Sequence, residues 1–239
     1  AEELGINPKS HRIFLSEFYT GRYSGSFAKG LPFQEDPETK EGRVSGTTAS
    51  LAGLEKAMAE NDKTQIELAI RRIHLLHGVI LTIGGIPLIY IGDGIGILND
   101  YDYEESPEKI GDTRWIHRPK FDWDKEKEKA DTDTVTGKLF SGLLKLVRLR
   151  EKTLALSGTD TEFADTGNDH ILAYFRHYEN NSVFLIANFS DKEQNIAGNR
   201  LRQLGLSKTI TDVVSGKTIT AAQNLLVEPY QFMMLIGVR

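Results

Sequence analysis

The chain has 239 residues, of which 39% are hydrophobic and 26% are charged, and its formal net charge is -5. That length can form one large or two modest domains, and the composition is that of an ordinary globular protein. The sequence has no cysteine, which excludes disulfide bonds, thiolate metal sites and cysteine nucleophiles. Acidic and basic residues are interspersed, so no basic stripe or polybasic tail indicates binding to nucleic acid or to a membrane.

The first 61 residues mix glycine, proline, charged and aromatic residues with little periodicity. This pattern predicts short helices and long loops, and long loops in a compact chain are usually functional. The aromatic residues of this zone would supply apolar surface among polar side chains: Phe14, Phe18, Tyr19, Tyr23, Phe27 and Phe33.

A helix is predicted next, because Thr64 and Glu67 have the spacing of a capping box and apolar residues then recur at helical spacing. The glycine pair at positions 84 and 85 would end it. Pro87–Ile91 follows. It is short, apolar on both faces and bounded by glycines, which is typical of a strand in a parallel sheet covered by helices. We expect the stretch Val79–Ile91 to be buried core, because it is too short and too interrupted to span a bilayer.

A long polar loop runs from residue 92 to about residue 136 and ends at a second amphipathic helix around Leu139–Val147. Helix, buried strand, long loop and helix in succession are typical of a (β/α)8 barrel. In such barrels the loops that follow the strands carry the function.

From about Leu156 onward the period changes. Ile171–Tyr178 alternates in polarity, Val183–Phe189 is a short buried run, and Ser215-Gly216-Lys217 is a hairpin turn signal. Several short strands without intervening long helices predict an antiparallel β-sandwich.

Several motifs carry a resemblance to a known family. The sequence Gly-Gly-Ile-Pro-Leu-Ile-Tyr-Ile-Gly-Asp at Gly84–Asp93 resembles the eighth barrel strand of α-amylase-superfamily enzymes, whose pattern is G-x-P-L-I-Y-x-G-D-E. Further motifs resemble those of amylosucrases, members of glycoside hydrolase family 13: Gly25–Gly30, Gly42–Thr47, Leu98–Asp100, Asp112–Pro119 and Glu228–Gln231. The strand motif marks only the superfamily, whereas the motifs containing Arg43 and Arg114 are more specific. The resemblance covers nearly the whole chain.

The resemblance implies a fold of the α/β plus all-β class. Residues 1–155 would be the C-terminal portion of a catalytic (β/α)8 barrel with long βα loops. Residues 156–239 would be the antiparallel β-sandwich domain that follows the barrel.

The resemblance also implies a reaction. Amylosucrases cleave sucrose, hold the glucosyl unit covalently and transfer it to the end of an α-1,4-glucan. This retaining chemistry needs a carboxylate nucleophile and an acid/base carboxyl group roughly 5 Å apart. In the family these groups and a third, sugar-binding carboxylate follow earlier barrel strands, and the third belongs to a His-Asp motif that this sequence lacks. We therefore expect no catalytic residue in this chain, and we expect the chain alone to be inactive.

Three arginines are implied to bind substrate. Arg114 would pair with an upstream aspartate and close the floor of the glucosyl pocket, since a guanidinium is a rigid, permanently charged fork of donors. Arg43 would face the acceptor side, and Arg22, beside Tyr23, would bind acceptor sugar. The residues alone leave plainer alternatives open: an arginine packed beside Trp115, a solvated loop charge at Arg43, and a small core cluster around Arg22.

Two positions depart from the family pattern. Gly94 follows Asp93 where the family usually has glutamate, and Tyr103 stands where it often has tryptophan. His74 and His77 lie one turn apart on the first predicted helix, but no carboxylate motif accompanies them. Packing is therefore favoured over metal binding there, and we expect neither a metal nor a cofactor.

Other functions remain open at this point. A sucrose hydrolase, a sucrose phosphorylase or an α-glucosidase of the same superfamily differs from an amylosucrase mainly in its acceptor. A non-catalytic glucan-binding module is a further alternative. The partners implied for the parent enzyme are sucrose and α-glucan. Because the strand Pro87–Ile91 would lack most of its barrel neighbours, we also expect the isolated chain to self-associate.

Overall fold

The computed structural model describes residues 3–206 and 209–237. The helices are α1 (Pro8–Tyr19), α2 (Thr48–Leu51), α3 (Leu54–Ala59), α4 (Lys63–Thr82), α5 (Trp123–Glu126), α6 (Val135–Lys152) and α7 (Gly198–Gln203). The strands are β1 (Leu31–Phe33), β2 (Arg43–Ser45), β3 (Asp160–Phe163), β4 (Ile171–Tyr178), β5 (Asn181–Asn188), β6 (Gln194–Ile196), β7 (Thr209–Asp212), β8 (Lys217–Thr220), β9 (Leu225–Val227) and β10 (Phe232–Ile236). In the described ranges, no helix is long and apolar enough to cross a membrane.

The chain divides into two compact units. The first comprises Ala1–Ala69 and Tyr90–Gly137, and the second comprises Ile70–Ile89 and Lys138–Arg239. Most of α4 and α6 therefore belongs to the same unit as the C-terminal strands. The boundary that the sequence predicts after residue 155, between a barrel portion and a β-sandwich domain, remains a prediction about a larger protein.

The second unit is built on a six-stranded antiparallel sheet with the strand order β3-β4-β5-β10-β7-β8. β4 and β5 pair along their full length, from Ile171 opposite Asn188 to Tyr178 opposite Asn181. The predicted hairpin between β7 and β8 is confirmed, with Asp212 opposite Lys217. Gly216 in its turn has a φ of +78°, which glycine adopts without the steric cost that a side chain would add.

Side chains alternate between the two faces of this sheet, as the period of a β-strand requires. One face packs against the small sheet of β6 and β9 and against α7, and its buried members include Phe175, Phe184, Ile186, Met233, Ile196, Leu201 and Val227. The opposite face packs against α4 and α6, and its members include Tyr174, Val183, Leu185, Met234, Leu75, Leu81, Leu143 and Leu146. The prediction of an antiparallel, β-rich C-terminal domain is thus confirmed, and helices cover one of its faces.

The helix α4 begins at Lys63, and Asp62 caps it. The Asp62 carboxylate accepts hydrogen bonds from the backbone amides of Thr64 and Gln65, at 2.9 and 3.0 Å. The predicted capping box at Thr64 is therefore wrong, because the aspartate immediately before the helix already satisfies the amides of its first turn.

Two arginine side chains donate hydrogen bonds to backbone carbonyl groups where α4 ends. The side chain of Arg176, which is only 1% exposed, donates to the carbonyl oxygens of Ile83, at 2.7 Å, and Gly158. Arg150 donates to the carbonyl oxygens of Leu81 and, at 3.2 Å, Gly85. The free carbonyl groups at a helix C-terminus carry partial negative charge, which favours cations there. These contacts fix the backbone immediately before the apolar segment that follows.

That segment, Pro87–Ile91, is not a buried strand, so the prediction for it is wrong. No backbone amide between residues 86 and 92 donates a hydrogen bond within the described part of the chain. Ile86 and Leu88 are 98% and 88% exposed, whereas Ile89 packs against the helix-covered face of the second unit. Every sheet formed by the described residues is antiparallel, and none pairs with this segment, so no barrel sheet is present among them.

Candidate functional site

The three arginines that the sequence singles out all lie at one small ribbon in the first unit. β1 and β2 form this ribbon, with Leu31 opposite Ser45 and Phe33 opposite Arg43. A short 3₁₀ helix, Thr113–His117, contacts both strands. The hydroxyl of Thr113 ties this helix to the ribbon by donating to the carbonyl oxygen of Pro32, at 2.9 Å.

Arg114 projects from the 3₁₀ helix onto the ribbon. Its guanidinium carbon lies 4.9 Å from the centre of the Phe33 ring. Its Nε and Nη2 atoms donate to the two carboxylate oxygens of Asp112, at 2.9 and 2.8 Å. This bidentate pair, chiefly through its side-chain hydrogen bonds, lowers the pKa of Asp112 to about 2 and raises the pKa of Arg114. Arg114 therefore has a carboxylate partner two residues away, and its Nη1 atom has no partner in the described chain.

Arg43 lies on β2 directly across from Phe33, the same residue that Arg114 contacts. Its side chain is exposed, and no carboxylate of the described residues forms an ion pair with it. Of the three arginines at the ribbon, Arg43 is thus the one whose charge is not neutralised locally. Such a group can donate hydrogen bonds to a ligand without first losing a partner.

Arg22 reaches the ribbon through Glu35, which follows β1. Its Nη1 atom lies 2.9 Å from the carboxylate, and its Nε atom donates to the hydroxyl of Thr20 at 3.0 Å. Tyr23 packs edge-on against Phe14, with ring centres 5.0 Å apart. Around it lies the aromatic cluster that the sequence left open as an alternative to sugar binding: Phe14, Phe18, Tyr23 and Phe27.

A buried carboxylate that sequence reasoning missed organises the same unit. Glu55 of α3 is 7% exposed. Its oxygens accept from the hydroxyl of Ser50, at 2.5 Å, and from the hydroxyl of Tyr101 and the ammonium of Lys29, both at 2.8 Å. A buried charge is stable only when it is paired and hydrogen-bonded, and these three donors meet that condition.

The network continues through Asn99, in the Leu98–Asp100 motif. Its side chain accepts from the backbone amide of Thr47, at 2.9 Å, and donates to the carbonyl oxygen of Lys29, at 2.5 Å. Three motifs that carry the family resemblance are thus bonded to one another: those containing Lys29, Thr47 and Asn99. No signal in the sequence indicates Glu55, because a single glutamate in a short helix is ordinarily solvent-exposed.

The other residues named from the sequence have local roles. Tyr103 is 4% exposed. His74 lies 3.2 Å from the carbonyl oxygen of Leu139, and burial lowers its pKa. His77 contacts the carbonyl oxygen of Ile73 at 2.8 Å. Within the described ranges, no group of three or more histidine, aspartate or glutamate side chains could hold a metal ion.

Comparison with known proteins shows which proteins share this fold. Residues 166–236 match the family model of the cyclo-maltodextrinase C-terminal domain. The chain is similar to AmyP in complex with maltose, with 11% identity over 70% of this chain and 35% of that one and a TM-score of 0.55. It is also similar to an Anoxybacillus α-amylase, with 18% identity over 82% and 36% and a TM-score of 0.54.

A third similar structure is trehalulose synthase MutB from Pseudomonas mesoacidophila MX-45, with 17% identity over 70% of this chain and 38% of that one and a TM-score of 0.52. At these identities the likeness shows a shared fold. The chain spans little more than a third of the length of the proteins it matches, from 35% to 38% in these three.

Proposed function

We propose that this chain is the C-terminal portion of an amylosucrase-like retaining glucosyltransferase, which uses sucrose to extend α-1,4-glucan. The observation that carries the proposal is the meeting of Arg22, Arg43 and Arg114 at one ribbon. The motifs around Arg43 and Arg114 are those most specific to the resemblance. Their residues come from separate parts of the chain and converge in space.

The three arginines would bind different parts of the substrates. Arg114, with its Nη1 atom unpartnered, would close the floor of the glucosyl pocket and pair with an aspartate from a part of the protein outside this sequence. Arg43, which has no local carboxylate, would donate to the hydroxyls of fructose or of the glucan acceptor. Arg22 would support the acceptor side from its ion pair with Glu35. The nucleophile and the acid/base carboxyl group would come from outside this sequence, so the chain alone would not turn over sucrose.

The exposed apolar residues in and before the segment Pro87–Ile91 support the same proposal. Apolar side chains continue from one face of α4 onto the extended segment: Leu76, Ile80, Ile83, Ile86 and Leu88, each at least 37% exposed. In a larger protein, further strands and helices would cover them. Burying one such side chain is worth roughly 1.5–3 kcal/mol. Without that cover, the exposed side chains would therefore drive the isolated chain to self-associate.

Within the same superfamily, a sucrose hydrolase, a sucrose phosphorylase or an α-glucosidase would be built on the same fold. Among the similar structures, AmyP is solved with maltose and a MutB mutant is solved with the substrate sucrose. The donor and the acceptor therefore have to be measured. A non-catalytic glucan-binding module would retain glycogen without consuming sucrose.

The test is an assay of the protein that the complete gene encodes, beside this chain, with sucrose alone and with sucrose plus glycogen. The proposal expects fructose release and glycogen elongation by the complete protein, and neither by the chain. Maltose hydrolysis without sucrose use would assign the complete protein to another activity. Fructose release by the purified chain would overturn the proposal that the nucleophile and the acid/base carboxyl group lie outside this sequence.

A further inference from the structure

The first unit contains a second polar site, a cleft of about 590 Å³. Residues between 97 and 125 line it, and none of the three arginines is among them. Four basic side chains belong to the lining: Lys109, Arg118, Lys120 and Lys125. The volume lies within the range of ligand-binding pockets.

These four cations form no close ion pair, although Asp122 and Glu128 act on Lys125, and Asp112 on Arg118, at longer range. None of them forms a salt bridge within the described part of the chain, whereas Lys29, Arg22 and Arg114 of the same unit each do. Like charges that share a cleft repel one another by about 1 kcal/mol at 4 Å in water and by more in a less polar medium. A cluster of this kind is therefore poised to gain from an anion.

The carboxylates of the lining are mostly engaged elsewhere. Asp100 accepts from the backbone amide of Asp102, at 3.0 Å. Asp122 caps α5 by accepting from the amides of Asp124 and Lys125, at 3.1 and 2.9 Å. The third carboxylate, Asp102, is exposed. These acids hold turns of the backbone but keep their charge, so the four cations of the lining exceed its three carboxylates by one positive charge.

Three of the cations are held in place before any ligand binds. The Lys109 ammonium and the Arg118 guanidinium lie over the ring of Trp115, at 5.0 and 5.3 Å from its centre. Lys125 donates to the carbonyl oxygen of Gly96, at 2.7 Å, and burial lowers its pKa. A nearby anion would offset the cost of keeping this buried ammonium charged.

The aromatic residues argue against a neutral sugar at this place. Stacking on a pyranose needs a free ring face, but the Trp115 ring carries two cations and Tyr103 is 4% exposed. A phosphate group instead offers several acceptor oxygens and a double negative charge, which suit lysine ammonium groups and the planar fork of an arginine.

We propose that this cleft binds a phosphate-bearing ligand, either free phosphate or the phosphate group of a small ester such as a hexose phosphate. Lys109 and Arg118 would grip the phosphate from the Trp115 ring, and Lys120 and Lys125 would complete its shell. The proposal is independent of the sucrose chemistry at the ribbon, and the chain alone is sufficient to test it.

Tryptophan fluorescence is the first readout, because Trp115 lies under two of the cations. The chain has two tryptophans, so a Trp123→Phe background leaves Trp115 as the sole emitter. Inorganic phosphate, glucose 6-phosphate and glucose are titrated at constant ionic strength. We expect a saturable change with one or both phosphates and none with glucose. Tighter binding of the ester than of inorganic phosphate would identify a sugar phosphate, and equal binding would identify free phosphate as the ligand.

Charge-removing variants test the assignment by calorimetry, which does not depend on the Trp115 signal. We expect Lys109→Gln and Lys120→Gln each to weaken phosphate binding by roughly tenfold or more, as loss of one hydrogen bond to a charged group does. Lys63→Gln removes the same charge from an exposed position of the same unit outside the cleft and should change affinity less than about twofold. Equal losses in all three variants, or no saturable phosphate binding by the parent chain, would overturn the proposal.

Discussion

Arg114 contacts Phe33 and Arg43 lies opposite it in the ribbon, but the two arginines differ in whether a carboxylate neutralises them. Arg114 is held by Asp112 in a bidentate pair, whereas Arg43 is exposed without a carboxylate in the described chain. The motif identified both residues, because the resemblance rests on them. It could not reveal the local partner of Arg114, because a pairing between residues two apart depends on the backbone turn that brings them together.

In the complete protein, we expect Arg114→Ala to reduce kcat/KM for sucrose more than Arg43→Ala does. Loss of Arg114 would leave the aspartate expected at the pocket floor without its cation, which disfavours a charged carboxylate in a closed site. Loss of Arg43 should mainly shift the ratio of hydrolysis to glucan elongation, as product analysis would show. Arg12→Ala is the matched control, since Arg12 forms an exposed ion pair with Glu41 in the same unit. Small and equal effects of Arg114→Ala and Arg43→Ala would contradict both assignments.

The Asp112–Arg114 pair should also give the chain an acid-sensitive contribution to stability. The pKa of Asp112 is lowered from 3.8 to about 2 in the folded chain. A group with a lowered folded-state pKa stabilises the fold above its unfolded pKa and ceases to do so as pH falls through the folded value. The contribution is therefore present above about pH 4 and is lost towards pH 2.

We expect Asp112→Asn to lower the Tm at pH 5, and the difference from the parent chain to shrink steadily as the pH falls towards 2. The measurement is thermal unfolding by circular dichroism across this range. Asp133→Asn serves as the control, because Asp133 is exposed and its side chain forms no ion pair in the described chain. A Tm difference that stays constant from pH 5 to pH 2 would rule out the pair as its source.

Among the elements, the long helices were the easiest to predict and the short strands the hardest. The apolar periodicity of α4 and α6 extends over many turns, and the β7–β8 hairpin has a clear turn signal at Gly216. The ribbon of β1 and β2 was missed because three-residue strands leave no alternating pattern to detect. Pro87–Ile91 was misjudged for a different reason: its composition is that of a buried strand, but burial depends on neighbours that the described residues do not provide.

The packing of α4 on the sheet depends on a glycine. A Cβ atom at Gly78 would lie 2.6 Å from the ring of Phe232 in β10. Alanine favours a helix over glycine by about 1 kcal/mol, so a helix with room to spare would gain from the change. We expect Gly78→Ala instead to destabilise the chain by about 1–3 kcal/mol, as overpacking of a core does.

Chemical denaturation measures this effect. Ser141→Ala on α6 is the comparison, because Ser141 is exposed and the change is also to alanine within a helix. That variant should remain within about 0.5 kcal/mol of the parent chain. Stabilisation by Gly78→Ala would mean that α4 sits farther from the sheet than the structure shows.

For the whole molecule, the exposed segment Pro87–Ile91 predicts how the isolated chain behaves in solution. We expect light scattering to show association that increases with concentration, and hydrogen exchange to be fast at Leu88 and slow in the central strand β5. The reason is that Leu88 is 88% exposed without an amide hydrogen bond, whereas Val183–Ala187 is fully buried.

A pair of variants locates the association. Leu88→Glu should suppress it, whereas Ile110→Glu, at a 64% exposed isoleucine of the other unit, should leave it unchanged. A monomer at every concentration, with Leu88 as protected as β5, would show that the segment needs no partner.

The helical cover of the sheet also limits how this protein can be divided and recombined. The family match begins at residue 166, after β3, and does not include the helices that shield one face of the sheet. A gene fusion that transplants only the matched region would expose Tyr174, Val183, Leu185 and Met234 to water. The smallest portable module therefore consists of two separate stretches of sequence, 70–89 and 138–237. The intervening residues would have to be replaced by a linker, so this domain cannot be exchanged between proteins as one continuous cassette.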